Sequence, residues 1–498
     1  MTATPSQNVE VPALREFVNG QWADPSTDLG GELHNPNTAE LIGKQVATAD
    51  DALESVADAA SNLHASGDWS RLSADERAGI LEAVADALDP VADRIADLES
   101  LGTGAIRRMT GMLTVINGGS FRLAAMQLRS GWTRSSITAD SGNEVEVHRL
   151  PFGPALCLVP WNAPAPMAAH KVANALAAGC PTILKPSEYA PLGTSVLAET
   201  IAEALDAAGA PAGTFQLIQG GPKQGATLVQ DPRIRAVSFT GGLAGGRAIA
   251  AACAYDMKPA QLELGGNNPV VVLEDADVEY AAQGAVDLLT QLNGQWCRAL
   301  GRLIVHESLA DDLVAAIADK IAALRIGDSL SLDTDLGPMV HAAHLALLKD
   351  RITELESAGG TVVAPGNLPD LPGYFLSPTL VTGVSPEDAL HEIFGPVATV
   401  HQFRTDAEAI ALANGTPYGL EGYVFGTDTD RAMNVARQVH AGGVKVNGST
   451  VLSLDIMAPR PAWGLSGYAE EGTAETFQFF CNTRVVGVEG MLAGHLAG

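Results

Sequence analysis

The segment Ala155-Leu156-Cys157-Leu158-Val159-Pro160-Trp161-Asn162-Ala163-Pro164 decides the fold. Its uninterrupted apolar run suits a parallel strand buried on both faces, where a half-exposed strand would alternate. The proline-bracketed turn that follows puts Trp161 and Asn162 at the carboxyl end of that strand, the edge where open α/β sheets bind ligands. Downstream the strand-helix unit repeats: strand 155–160, helix 166–178, strand 181–185, helix 191–208, strand 215–218, helix 222–230, strand 235–239, helix 244–254, strand 260–264. Short connections between apolar strands predict a doubly wound parallel sheet. A second series begins past Leu264-Gly265-Gly266: strand 269–273, helix 277–292, strand 302–306, helices 308–325 and 341–358, strand 397–402, helix 405–414, strand 421–426, helix 428–440, strand 443–447. Two successive α/β series imply two domains with a cleft between them.

Upstream, residues 1–48 hold short strand-like pieces, Glu16 to Asn19 and Gly43 to Ala47, and residues 50–130 read as alanine-rich helices. One of these opens at Ser73-Ala74-Asp75-Glu76, an N-cap with an acid three residues on. Glu144-Val145-Glu146-Val147-His148 alternates strictly and predicts an exposed hairpin arm. Thr483 to Val488, another strand-like piece, is expected to pair with that arm and build a subunit interface.

The chain has 498 residues, enough for about three domains by length alone. It carries 30 basic and 58 acidic residues, a net charge of −28 spread along the chain. A field of that sign repels phosphate backbones, so no nucleic-acid partner is expected. No apolar run is long enough to span a bilayer, and Met1 to Glu10 has neither a basic region nor an apolar core for a signal peptide. The expectation is a cytoplasmic protein with no membrane partner. The five cysteines, 157, 180, 253, 297 and 481, are odd in number and widely spaced, which argues against a disulfide framework and against a metal site.

Several short segments carry chemistry. Gly294-Gln295-Trp296-Cys297-Arg298-Ala299-Leu300-Gly301-Arg302 sets one cysteine in a glycine-flanked turn between a helix and a strand, and we read Cys297 as a nucleophile. Lys185-Pro186-Ser187-Glu188 ends a strand with a cation and a carboxylate on the same rim as Trp161; a solvated charge pair is the plainer reading. Phe239-Thr240-Gly241-Gly242-Leu243-Ala244-Gly245-Gly246 bridges strand to helix and suits close backbone approach to a pyrophosphate, although it is not GxGxxG. Glu263 ends a strand before Gly265-Gly266, where a carboxylate is expensive unless exposed or used. Glu392-Ile393-Phe394-Gly395-Pro396 adds another acid beside an aromatic.

In order and spacing these segments together resemble the aldehyde dehydrogenase superfamily, from residue 15 to about 488. The resemblance implies an α/β fold of two doubly wound Rossmann-like domains with a small β oligomerisation arm. It divides the chain into a NAD-binding domain (1–131 and 152–263), a catalytic domain (264–465), and an arm with a C-terminal strand (132–151 and 466–498). It implies NAD-dependent oxidation of an aldehyde to the acid. Cys297 would attack to give a thiohemiacetal, Asn162 and the Cys297 backbone N–H would hold its oxyanion, and Glu263 would activate the water that hydrolyses the resulting thioester. Trp161, Lys185, Glu188, Thr240, Gly241, Gly242, Glu392 and Phe394 would bind the cofactor, with Glu188 favouring NAD over the alternative NADP.

Some positions depart from the family pattern. Gly242 stands where serine is common, and His344 where a glutamine often reaches the cofactor, although a histidine on a helix more often packs. Trp463-Gly464-Leu465-Ser466-Gly467 is a degraded signature, with Gly464 for lysine and Glu470 for arginine, next to the matching Glu471. These changes predict altered assembly or substrate access.

The substrate reading divides. Met167, Trp296 and Leu452 suggest a pocket for a hydrophobic aliphatic or aromatic aldehyde, whereas Arg298 and Arg460 would suit the carboxylate of a semialdehyde unless they are structural ion pairs. A CoA-dependent acylating relative is a further possibility, against which Glu263 speaks, and so is a catalytically silent binding protein. A homodimer or homotetramer is expected.

Overall fold

The structure is a computed structural model that describes residues 5–139 and 142–488. Met1 to Thr4, and the last ten residues of the expected C-terminal segment, lie outside the described residues. Two sheets organise the rest, as the two α/β series predict.

The first sheet has eight strands in the order Gln21–Ala23, Glu16–Val18, Phe215–Leu217, Thr182–Lys185, Ala155–Leu158, Ala236–Thr240, Ala260–Glu263, Gly467–Tyr468. The five middle strands are parallel, and Ala155–Leu158, the first of them in sequence, lies at their centre. The chain winds one way from it to Thr182–Lys185 and the other way to Ala236–Thr240, so a crevice opens where the order reverses. Both faces are covered: Cys157 and Leu184 pack into one apolar cluster, Leu156 and Ile183 into another. That double burial is why the strand reads as an unbroken apolar run. Alanines on the helix Pro164–Ala178, almost wholly buried, let it lie close against the sheet.

The second sheet has seven strands in the order Thr361–Val363, Thr379–Thr382, Val397–Phe403, Leu300–His306, Asn268–Val272, Glu421–Phe425, Gly443–Val446. Two of these, Thr361–Val363 and Thr379–Thr382, are absent from the sequence reading, which passes from helix 341–358 to strand 397–402. Each is only three or four residues long and flanked by glycine or proline, too short to show a period. Helix 277–292 stops earlier than expected, at Thr290. The helix start at Ser73 is as read: its hydroxyl accepts from Glu76 N at 3.2 Å, and the Glu76 carboxylate accepts from Ser73 N at 2.8 Å.

The arm is a three-stranded antiparallel sheet with Glu144–Pro151 between Arg134–Thr138 and Cys481–Gly487. Before reaching it, the C-terminal segment adds Gly467–Tyr468 to the first sheet beside Leu262 and Glu263. Among the described residues, no helix is long and apolar enough to cross a membrane, and no cluster of residues could hold a metal ion.

Candidate active site

Cys297 sits at the end of a backbone reversal that only a few residues permit. Leu292, Asn293 and Gly294 are consecutively left-handed, with φ of 49°, 57° and 72°. Such residues cost roughly 1–2 kcal/mol each when they carry a Cβ, so something must hold them. The buried Asn293 amide does so, donating to the carbonyls of Gly104 (2.6 Å) and Pro338 (2.9 Å) while its oxygen accepts from Gly337 N (3.0 Å). At Gly294 a Cβ would lie 2.3 Å from Pro396 N, so only glycine fits. Gln295 is held from both ends: its side-chain oxygen accepts from Val340 N (2.9 Å), and its carbonyl accepts from the Asn162 amide (2.9 Å). Beyond the thiol, Asn268 donates to the carbonyls of Cys297 (2.9 Å) and Ala299 (2.7 Å). The half-buried cysteine is thereby fixed on a rigid turn. Burial pushes its thiol up to about 12, against the pull of the neighbouring Arg298.

The turn faces a cavity of about 1220 Å³ between the two sheets. Every site residue named from the sequence lines it, from Lys185 and Glu188 at one end to Leu452 and Arg460 at the other. Glu263 ends the strand Ala260–Glu263, is buried, and leaves Oε1 without a partner. Burial, and then the charge of Glu471, push its carboxyl up to about 8. Burial pushes Glu471 up too, but Arg460, Lys171, His170 and Arg298 outweigh it and keep Glu471 ionised. Glu471 lies 3.3 Å from Arg460 and 3.5 Å from Lys171, which in turn donates to Ser238 Oγ at 2.8 Å.

At the other end the lining suits a dinucleotide. Thr240 Oγ1 is buried without a partner, a Cβ on Gly242 would meet nothing within 4 Å, and Gly241 leaves no room for a side chain beneath Phe239. The strand-to-helix turn therefore offers bare backbone and one unspent hydroxyl at the start of helix Leu243–Tyr255. The serine hydroxyl that Gly242 lacks is not replaced there, and Thr240 supplies the nearest one in sequence. Lys185 Nζ donates to Pro186 O (3.0 Å), with burial pulling it down to about 8. Glu188 stands at the rim beside Gly221. Glu392 accepts from Gly266 N at 2.8 Å, and burial pushes it up to about 7. Phe394 is left-handed (φ 57°) and meets Trp161 edge-on, with ring centroids 5.3 Å apart. His344 is a packing residue here: it is buried, edge-on to Trp161, with Nε2 2.9 Å from the Phe394 carbonyl.

On the thiol's side, Trp296, Ala163, Val451 and Cys297 share one apolar cluster, and Met167, Ile116 and Leu452 extend the wall. Both arginines are spoken for: Arg298 pairs with Glu421, and Arg460 with Glu471. Sequence reading overlooked Glu421 and Lys445, which also line the cavity. The signal was present, since each puts a charge in a short strand that is otherwise apolar or glycine, Glu-Gly-Tyr-Val-Phe and Gly-Val-Lys-Val.

Comparison with known proteins places this geometry. Residues 22–486 match the Aldehyde dehydrogenase family. The chain belongs to the aldehyde dehydrogenase family. Within that family it is 34% identical to the 3-succinoylsemialdehyde-pyridine dehydrogenase of a Pseudomonas species, over 96% of this chain and 99% of the relative. It is 33% identical to the geranial dehydrogenase of Castellaniella defragrans, over 87% and 90%. Among solved aldehyde dehydrogenases, the betaine aldehyde dehydrogenase of Staphylococcus aureus in complex with NAD+ superposes with a TM-score of 0.91, at 29% identity, over 98% of each chain. The α/β reading with Rossmann-like sheets is borne out.

Proposed function

We propose that this aldehyde dehydrogenase oxidises a hydrophobic aliphatic or aromatic aldehyde to its carboxylic acid, with NAD as acceptor and water as the second substrate. One observation carries the reading: a thiol on a rigid turn, a side-chain amide and a buried carboxyl with an unspent oxygen meet in one cavity. Cys297 attacks the aldehyde carbon: the C–S bond forms as the carbonyl π bond opens to the oxyanion, and the thiol proton passes to solvent. Asn162 has a second N–H besides the one given to Gln295, and with the Cys297 N–H it would hold the oxyanion. NAD, when bound, would accept the hydride lost from the thiohemiacetal carbon, which leaves a thioester on Cys297. The residues fit it: Thr240, Gly241 and Gly242 would receive the pyrophosphate, Lys185 and Glu188 the adenosine ribose, and Glu392 with Phe394 and Trp161 the nicotinamide side. Glu188 would repel a 2′-phosphate, which favours NAD over NADP. Glu263, once ionised, takes a proton from water as it attacks the thioester, and Cys297 leaves as the thiol.

The wall of Ile116, Met167, Trp296, Val451 and Leu452 supports an apolar substrate. The pairing of Arg298 with Glu421 and of Arg460 with Glu471 speaks against a semialdehyde carboxylate, because each guanidinium already has its anion. The reading also includes the division into 1–131 with 152–263, 264–465, and 132–151 with 466–498, and a homodimer or homotetramer joined through the arm.

The test is NADH formation from a panel of aldehydes, with NAD or NADP and with or without CoA, beside Cys297→Ala. Turnover that needs CoA would remove the role given to Glu263. A chain inert toward every aldehyde would leave a binding protein that has kept the fold.

A further inference from the structure

Lys445 sits in the strand Gly443–Val446, opposite Tyr423 in the parallel pairing, and is buried. Arg298 has Glu421 and Arg460 has Glu471, whereas among the described residues Lys445 forms no ion pair. Its ammonium lies 5.9 Å from the centroid of the Tyr423 ring and donates to two backbone carbonyls, those of Thr450 and Leu452, each at 2.7 Å. Burial, and then the nearby Arg298, pull it down to about 8, so the site keeps a costly cation for the sake of those two bonds.

The two carbonyls flank Val451. Drawing both toward one ammonium fixes the peptide units 450–451 and 452–453, which bracket Val451 and Leu452. Val451 packs into the apolar cluster that holds Cys297, Trp296 and Ala163. The segment's start is fastened separately: Asn447 exchanges hydrogen bonds with Gly426, and Ser449 Oγ lies 3.0 Å from Asp287. From Leu452 onward the lip is exposed, with Leu452 54%, Leu454 74% and Ile456 62% accessible. Lys445 is therefore the fastening of the part that faces the thiol.

We propose that Lys445 is a positioning residue that sets substrate selectivity, by clamping Thr450 and Leu452 so that Val451 and Leu452 form a fixed apolar wall for the acyl chain beside Cys297. This rests on the aldehyde-oxidising reading above. It adds that the preference for long apolar aldehydes over short ones depends on a cation that need not touch the substrate.

The experiment compares wild type, Lys445→Met and Lys445→Arg with two substrates, octanal and acetaldehyde, and measures hydrogen exchange of residues 447–456 in the enzyme without substrate. In Lys445→Met the kcat/KM ratio of octanal to acetaldehyde is expected to fall about tenfold, through the KM for octanal, the scale on which a hydrophobic pocket tells one methylene from none. Exchange should quicken in the lip while the helix Pro164–Ala178 stays protected. Lys445→Arg, which keeps the charge and the donors, should restore most of the ratio. A lower melting temperature with an unchanged ratio, or lip exchange equal to wild type, would overturn the proposal. A wild type that oxidises neither aldehyde would instead sink the aliphatic form of the functional reading, and with it the selectivity role; the exchange data would still decide whether the clamp exists.

Discussion

The side-chain amide of Asn162 donates to the carbonyl of Gln295 at 2.9 Å, two residues before the thiol. The amide proposed to hold the oxyanion is thus oriented by the turn that carries Cys297, and the second of its two N–H bonds is not used by that contact. Asn162→Ala is expected to lower kcat by about 10²–10³-fold, the usual loss for one oxyanion donor. Asn162→Asp should lose as much, since a carboxylate cannot donate and would face the Gln295 carbonyl. Steady-state NADH formation measures both, and a kcat within threefold of wild type in both would end the assignment.

Glu263 gives the pH dependence its sign. A carboxyl pushed up to about 8 by burial is neutral and inert as a base below that pH and ionised above it. Thioester hydrolysis should therefore rise about tenfold per pH unit on the acid side and level off above about 8. Glu263→Gln should form a burst of one NADH per site and then stall, if hydride transfer does not use this residue. Rapid-mixing absorbance at several pH values reads both effects, and a steady rate without a burst would place the base elsewhere.

The pairing of half-buried Arg298 with buried Glu421 allows the apolar and anionic substrate readings to be separated. Arg298→Met leaves a buried carboxylate without its cation and should destabilise the protein by about 3 kcal/mol or more. Adding Glu421→Leu should recover most of that loss, because the pair is exchanged for apolar groups. Urea unfolding of wild type, Arg298→Met, Glu421→Leu and the double variant measures the coupling. If the double variant folds well yet loses a semialdehyde activity that the wild type has, the guanidinium reads the substrate after all.

In the proposed reading, cofactor choice turns on Glu188. Replacing its carboxylate with glutamine removes the repulsion of a 2′-phosphate and should raise kcat/KM with NADP about tenfold relative to NAD. Initial rates with the two cofactors give the ratio, and no change would mean that another group reads the ribose.

Much of this was legible in the chain. The strand Ala155–Leu158 announces itself because it is buried on both faces, and Glu144–Pro151 because it is not; each burial state writes its own period. Asn162, Lys185, Thr240 and Glu263 drew attention because they stand at or just past the ends of parallel strands, where ligands bind, but the roles proposed for them came from the family resemblance. The partners of Arg298 and Arg460 were not legible. Which carboxylate meets a guanidinium depends on how strands more than a hundred residues apart come to lie side by side, and no local pattern records it. Lys445 was missed for the same reason, since its significance lies in the carbonyls of Thr450 and Leu452 rather than in its own neighbours in the strand.

The left-handed run at Leu292, Asn293 and Gly294 is held by Gly104, Pro338 and Pro396, contributed by segments on both sides of it in the chain. A growing or misfolded polypeptide lacks those supports, and in it Cys297 is a cysteine like the other four. The placement of Cys297 beside Asn162 therefore depends on contacts from segments far apart in the chain, and it exists only in the finished fold.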